Sequence, residues 1–451
     1  MHEVVNRRSA RLMLLPVHVL IKIDNFITFE RVRNYSLIFC SLGTVMLLVN
    51  SLVRITDPGT TGAFQPDYLA HWTGGRMLSL EQLSSLYSPD AQHQIQNSVL
   101  GQTLALSWFV SPPVTAALYF PLAMLGYNPS ALIWLVINLI LTVWCLRRMM
   151  RIAPRLFIRY RWAVALPILA SAPLFELLGG GQDTAFMLAL WLLGLECLES
   201  RHELSSGLLF ALGTLKPQNI ILVPFALFIQ RRFKALAAFI AASAMILLAS
   251  FLLVGVEGVS TWVKTITGPL YTEQVQQVQL WKMISIPAFA LAVLPPGWAV
   301  WLAPNLGWIS VTAGILVLLW VRYVTRGRTA DVKALWMATL ATTVVLSPHA
   351  LLYDGLLLVP VALFLLERRS SRYLRVTLSA AFVATWLTPF SLMLTSLFPW
   401  PLAILGAPWS ALPLSALWIA SIREALGYRA PLKASRPSLM LETGPVNSNR
   451  D

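Results

Sequence analysis

The run YSLIFCSLGTVMLLVNSLV, Tyr35 to Val53, decides the fold class. As a helix its nineteen uncharged residues span roughly the ~30 Å hydrocarbon core of a bilayer. Arg7, Arg8, Arg11, Lys22, Arg31 and Arg33 precede it, which predicts that residues 1–34 stay in the cytoplasm. No small-residue cleavage site follows, so the run reads as an uncleaved first membrane helix. A helix satisfies its own backbone hydrogen bonds, which is what lets it cross lipid.

Runs of the same kind recur along the chain, separated by short basic loops. Only 12% of the 451 residues are charged and 57% are hydrophobic; a soluble domain carries about 25% charge. Mean hydropathy is +0.67. The chain therefore reads as an all-α polytopic integral membrane protein. Its net charge of +14 would suit a nucleic-acid partner if it lay on one face. Instead the arginines cluster between apolar runs, so we expect membrane lipids as partners and no nucleic acid. Cys40, Cys145 and Cys197 fall singly inside apolar runs, as small core residues rather than a disulfide or metal framework.

Placing loops by the positive-inside rule predicts about twelve spans: 35–53, 131–146, 162–178, 185–197, 207–215, 220–229, 235–254, 298–321, 334–346, 355–366, 376–392 and 401–422. It leaves 29 of the 34 lysines and arginines cytoplasmic, with Arg54, Arg76, Lys216, Lys264 and Lys282 outside. Residues 35–422 form the transmembrane domain, with 54–108 as a first outer loop carrying surface helices at Asp67–Leu80 and Asp90–Leu100. Residues 255–282 are a second outer loop. Residues 423–451 are a basic cytoplasmic tail, disordered from about residue 430. Phe109–Gly126 and Met283–Leu294 are apolar but interrupted or flanked by proline; the positive-inside rule favours the first dipping into the membrane or lying along it over spanning, and the second is open to both readings.

This topology brings Asp67, Gln182, Asp183, Lys216, His349 and Asp354 to the outer face, at or just below the membrane surface. Ionisable groups there are costly unless paired or functional. Asp67 lies in FQPDYLAHWTGG (64–75), among aromatics. A solvated loop carboxylate or helix cap is the plain reading; a general base acting on a sugar or lipid hydroxyl is the functional one. His349 is either a structural hydrogen-bonding group, a proton-transfer partner for Asp67, or a phosphate ligand when protonated. Lys216 either snorkels or holds a phosphate as a point charge. Tyr353 and Asp354 contact sugar hydroxyls or cap a turn. There is no HExxH, Cys/His metal spacing, GxSxG or DxD, which points away from a soluble nucleotide-sugar enzyme and toward a donor already in the membrane.

The ordered series Pro66-Asp67-Tyr68, Leu86-Tyr87-Ser88-Pro89, Ser111-Pro112-Pro113, Phe120-Pro121-Leu122-Ala123, Gly181-Gln182, Leu215-Lys216-Pro217, Ser347-Pro348-His349 and Tyr353-Asp354 resembles glycosyltransferase family 87 over roughly residues 35–420. The resemblance implies a GT-C fold and an inverting transfer that needs no metal or other cofactor. The implied donor is a polyprenyl-phosphate sugar, often mannose, and the acceptor a lipid or glycan. It implies Asp67 as catalytic base, His349 as its assistant, and Gln182, Lys216, Tyr353 and Asp354 in the donor and phosphate cavity. Asp183 departs from the aromatic or apolar residue common after the Gly-Gln pair. The basic inner face fits a bacterial plasma (inner) membrane, with the active site facing the periplasm and both termini cytoplasmic; an endoplasmic-reticulum membrane would look similar. A lipid-linked-sugar flippase is the alternative, although the internal repeat common in transporters is missing. A non-catalytic membrane partner is a third.

Overall fold

A computed structural model describes residues 18–101, 107–273, 278–326 and 331–427. The expected disorder from residue 430 lies outside them, as do residues 1–17. The chain is helical throughout the described residues, with one isolated antiparallel bridge between Met283 and Leu351. The main helices are α1 (Phe29–Thr56), α2 (Pro66–Ser79), α3 (Pro89–Leu100), α4 (Val114–Ala123), α5 (Tyr127–Met149), α6 (Pro154–Leu169), α7 (Ala172–Gly180), α8 (Thr184–Glu199), α9 (Glu203–Leu212), α10 (Phe233–Thr267), α11 (Leu306–Val324), α12 (Val332–Val345), α13 (Val359–Arg368), α14 (Arg372–Leu397) and α15 (Ala411–Ala425).

Among the described residues, five helices are long and apolar enough to cross a membrane: α1, α5, α10, the Pro296–Val324 stretch ending in α11, and α14. The pair α6–α7, bent by 47°, makes a sixth if taken as one span. The other expected spans are helical but short. At 14 residues α12 rises roughly 21 Å, less than the ~30 Å core. Eleven of those residues are buried, whereas only 11% of the apolar window of α1 is. Long helices thus turn apolar faces outward, and short ones buried on all sides fill the middle.

The centre is packed around α8 and α12, where Trp336 stacks on Phe210 at 5.2 Å and meets Trp191 edge-on. A second core joins α2, α4 and α5 through Tyr68, Trp72, Phe109, Tyr119, Tyr127 and Trp134. Gln92 of α3 locks that unit, donating to the carbonyls of Leu86 and Phe109 and accepting from the Phe109 amide. A smaller third core, with Leu177, Met283, Leu351 and Tyr353, sits beside the α7–α8 turn.

Two expectations change in detail. The segment expected as a second outer loop does start at a break, Gly255 at φ 70°, but it is helical as far as Thr267 rather than loop-like. Trp262 in that extension donates to the Val110 carbonyl at 3.1 Å, tying it to the second core. The span expected at 401–422 is helical only from Ala411, after a 3-10 segment at Leu402–Gly406. Phe109–Gly126 yields the ten-residue α4 and Met283–Leu294 the eight-residue helix Ile286–Val293. Each is shorter than the ~30 Å hydrocarbon core requires.

At one end of the bundle the basic clusters are matched by acids. Arg148 pairs with Glu196 at 2.7 Å, Arg155 with Glu367 at 2.7 Å, Arg232 with Glu203 at 2.9 Å and Lys333 with Glu199 at 3.2 Å. Arg372 and Arg375 close on Asp24. The six residues singled out in the sequence lie away from this belt, in the first turn of α2, at the α7–α8 turn, after α9 and after α12.

Candidate active site

Asp67 occupies the first turn of α2, after Pro66, whose fixed φ suits that position and whose missing N–H costs nothing there. The turn is held from several sides. Gln65, in the left-handed region at φ 55°, donates from Nε2 to the Leu178 carbonyl at 3.1 Å. Tyr127 donates to the carbonyls of Phe64 and Gln65, and Arg54 to that of Ala63 at 3.0 Å. Tyr68 is fully buried, hydrogen-bonded to Ser130 and stacked on Trp134 at 5.6 Å.

Trp134 in turn donates to the Gly181 carbonyl at 2.7 Å. Gly181 ends α7 at φ 74°, a conformation that disfavours other residues. A Cβ on Gly180 would stand 2.7 Å from Asp67 Oδ2. The run Gly179-Gly180-Gly181 therefore has a structural reason: bare backbone is needed where the carboxylate rests. Among the described residues nothing donates to the Asp67 carboxylate, and no cation lies within ion-pair distance.

Next to it lies a closed charge network. Lys216 is 8% exposed. Its Nζ reaches Asp183 Oδ1 at 2.8 Å, Gln182 Oε1 at 3.2 Å and Thr184 Oγ1 at 3.5 Å, lies 3.7 Å from Asp354 Oδ1 and stands 4.7 Å above the Tyr353 ring. Asp354 is wholly buried. Its Oδ1 accepts from Thr184 and Asn219, each at 3.1 Å, and its Oδ2 from the Leu351 amide at 3.1 Å. Burial alone would depress the Lys216 pKa, but Asp183 and Asp354 outweigh it and raise it. Burial would raise Asp183, and Lys216 with His71 overrides that and lowers it. Asp183 thus replaces the expected apolar residue with the acid that neutralises Lys216.

His349 stands on the loop after α12. Burial, reinforced by the Lys216 and Lys282 charges, brings its pKa down to about 4, against the pull of Asp67. The imidazole is therefore neutral near pH 7, and its Nδ1 is buried with no partner among the described residues. Of the alternatives for His349, this setting favours the neutral hydrogen-bonding forms.

The structure gathers every sequence-singled residue into one region. Asp67 lies within electrostatic reach of Lys216, Tyr353 and His349. It also adds residues that sequence reasoning did not single out. His71, one turn after Asp67, stacks on Tyr119 at 4.6 Å and has an unpartnered Nδ1; burial lowers its pKa. Lys282 pairs with Glu176 at 3.5 Å and feels Asp67 as well. Its signal was its place among the five cations expected outside. Among the described residues, no group of three or more His, Cys, Asp or Glu side chains is placed to hold a metal ion.

A family model described as glycosyltransferase family 87 matches residues 109–348, just over half of the 451-residue chain. The match starts after α2 and stops one residue short of His349, so it takes in Gln182 and Lys216 but neither Asp67 nor His349. No curated protein and no solved structure matches the chain.

Proposed function

The chain belongs to glycosyltransferase family 87 and is a membrane glycosyltransferase, and we propose that it moves a hexose, most simply mannose, from a polyprenyl phosphate to a hydroxyl of a lipid or glycan acceptor. On this reading the bundle is a GT-C fold of about twelve membrane passes, some made by the short buried helices. The reaction takes place on the outer face of a bacterial inner membrane, away from the belt of matched charges.

The observation that carries the reading is the state of Asp67. Its carboxylate sits on a clamped helix end, against bare backbone, with no partner among the described residues. A base must keep a lone pair free for the proton it takes. Asp67 accepts the acceptor's hydroxyl proton as that oxygen attacks the anomeric carbon. The bond from this carbon to the phosphate oxygen breaks on the opposite face, and the polyprenyl phosphate leaves with the electron pair. The product is inverted at the anomeric centre. His349, neutral, hydrogen-bonds to substrate oxygens beside the reaction centre. Gln182 and Tyr353 border the sugar, and the cationic side of the site, where Lys216 and Lys282 lie, faces the leaving phosphate.

The test is transfer from radiolabelled polyprenyl-phosphate mannose to a host membrane-lipid extract by purified protein. Asp67→Asn should lower turnover by about 10²–10⁴-fold while leaving thermal melting and donor binding unchanged. Wild-type turnover in Asp67→Asn would remove it as the base. Donor binding without transfer by the wild type, from this donor or its glucose counterpart, would favour the flippase.

A further inference from the structure

Two lysines flank the proposed site, and their surroundings differ in a way that decides which one meets an anion. An ammonium group has three N–H donors and no acceptor. All three of Lys216 are engaged, by Asp183, Gln182 and Thr184, and its charge is matched by two buried carboxylates. No donor is left for a ligand, and an arriving phosphate would have to displace Asp183 into a buried, uncompensated state. Lys282 is also largely buried, its side chain 14% exposed. Among the described residues its ammonium has one partner, Glu176 Oε1 at 3.5 Å, on a side chain 35% exposed. That contact is long, partly screened by solvent, and leaves two N–H groups without an acceptor among the described residues.

Lys282 is also held in position. Its amide donates to the Gln279 carbonyl at 3.0 Å. Met283, the next residue, forms the isolated antiparallel bridge with Leu351, and the Ile284 amide donates to the Ala350 carbonyl at 2.9 Å. Met283 and Ile284 are both buried. This pairing fastens Lys282 to the loop that carries His349, whose partnerless Nδ1 belongs to the same region. A largely desolvated cation on a rigid backbone, with donors to spare, is costly unless an anion completes it.

We infer that Lys282 is the anchor for the phosphate of the lipid-linked donor, and that Lys216 is part of the framework beneath it. This rests on the polyprenyl-phosphate reading above and names the side chain that carries it out. As a compact point charge, lysine suits a phosphate oxygen without imposing a planar fork.

The experiment measures binding of a short-chain polyprenyl phosphate and of the matching polyprenol to the purified full-length protein. Wild type should prefer the phosphate. Lys282→Met should weaken phosphate binding by about tenfold or more, leave polyprenol binding and thermal melting as in wild type, and so erase the preference. Lys282→Arg should restore most of it. An undiminished preference in Lys282→Met would overturn the assignment while leaving the donor reading intact. A wild type that does not distinguish phosphate from alcohol would overturn the donor reading and this inference together.

Discussion

Lys216 and Asp67 are both charged, both conspicuous in the sequence and within electrostatic reach of one another, yet their surroundings are opposite. Lys216 is enclosed: three hydrogen bonds, two carboxylates and an aromatic face satisfy it. Asp67 is open: clamped through its backbone and neighbours, with its carboxylate unengaged among the described residues. A charge that the fold completes contributes to stability and holds its surroundings in one arrangement. A charge that the fold positions and leaves incomplete is available to a substrate. Proximity to a site therefore says less about a residue's role than whether its hydrogen-bonding capacity is filled.

Substitutions on the two sides should separate accordingly. The largest effect is expected on the enclosed side. Lys216→Met leaves Asp183 and Asp354 buried without their cation, which should destabilise the protein by about 3–5 kcal/mol. It should appear as a large fall in melting temperature or a failure to purify folded. A folded Lys216→Met of wild-type stability would break the comparison.

On the open side the effect should fall on rate. In Gly180→Ala the new Cβ would meet Asp67 Oδ2 at 2.7 Å, so the carboxylate must move by several tenths of an ångström. Turnover should drop by roughly ten- to a hundredfold, with melting close to wild type. Wild-type turnover would mean that the position of the Asp67 carboxylate does not govern the rate.

The smallest effect concerns His349 and pH. Its folded pKa of about 4 lies below the ordinary value near 6.5. Between those values the unfolded chain binds a proton that the folded chain refuses. Stability should therefore decline as pH falls from about 6.5 toward 4. His349→Gln should flatten part of that decline in melting curves taken across this range, with His71 contributing in the same direction. An identical pH dependence in the variant would show that His349 is solvated rather than enclosed.

Much of the architecture was legible because burial in a helical membrane protein follows uninterrupted apolar runs. Tyr35–Val53 lies within α1, and the expected surface helices Asp67–Leu80 and Asp90–Leu100 differ from α2 and α3 by one residue at most at each end. Breaks were less legible. The bend between α6 and α7 and the helical form of residues 256–267 after the break at Gly255 depend on what those segments pack against. In the candidate site, the expected topology put on one side residues that the structure also holds close together, because the excess of lysine and arginine in the loops indicates which ends face together. It did not supply their partners. The Lys216 contacts to Asp183 and Asp354, and the coupling of Lys282 to the His349 loop through Met283 and Leu351, join residues far apart in sequence. Only tertiary packing brings them together.

The clamp on the first turn of α2 has a kinetic corollary. Hydrogen bonds and stacked rings from α5 and the α7–α8 turn fix that turn on several sides, so the backbone that carries the carboxylate has no hinge on which to swing. In the proposed reaction the travelling is then left to the substrates. A lipid-linked donor reaches such a fixed station by lateral diffusion within its leaflet, so turnover at low donor density should track bilayer fluidity rather than the opening of a lid.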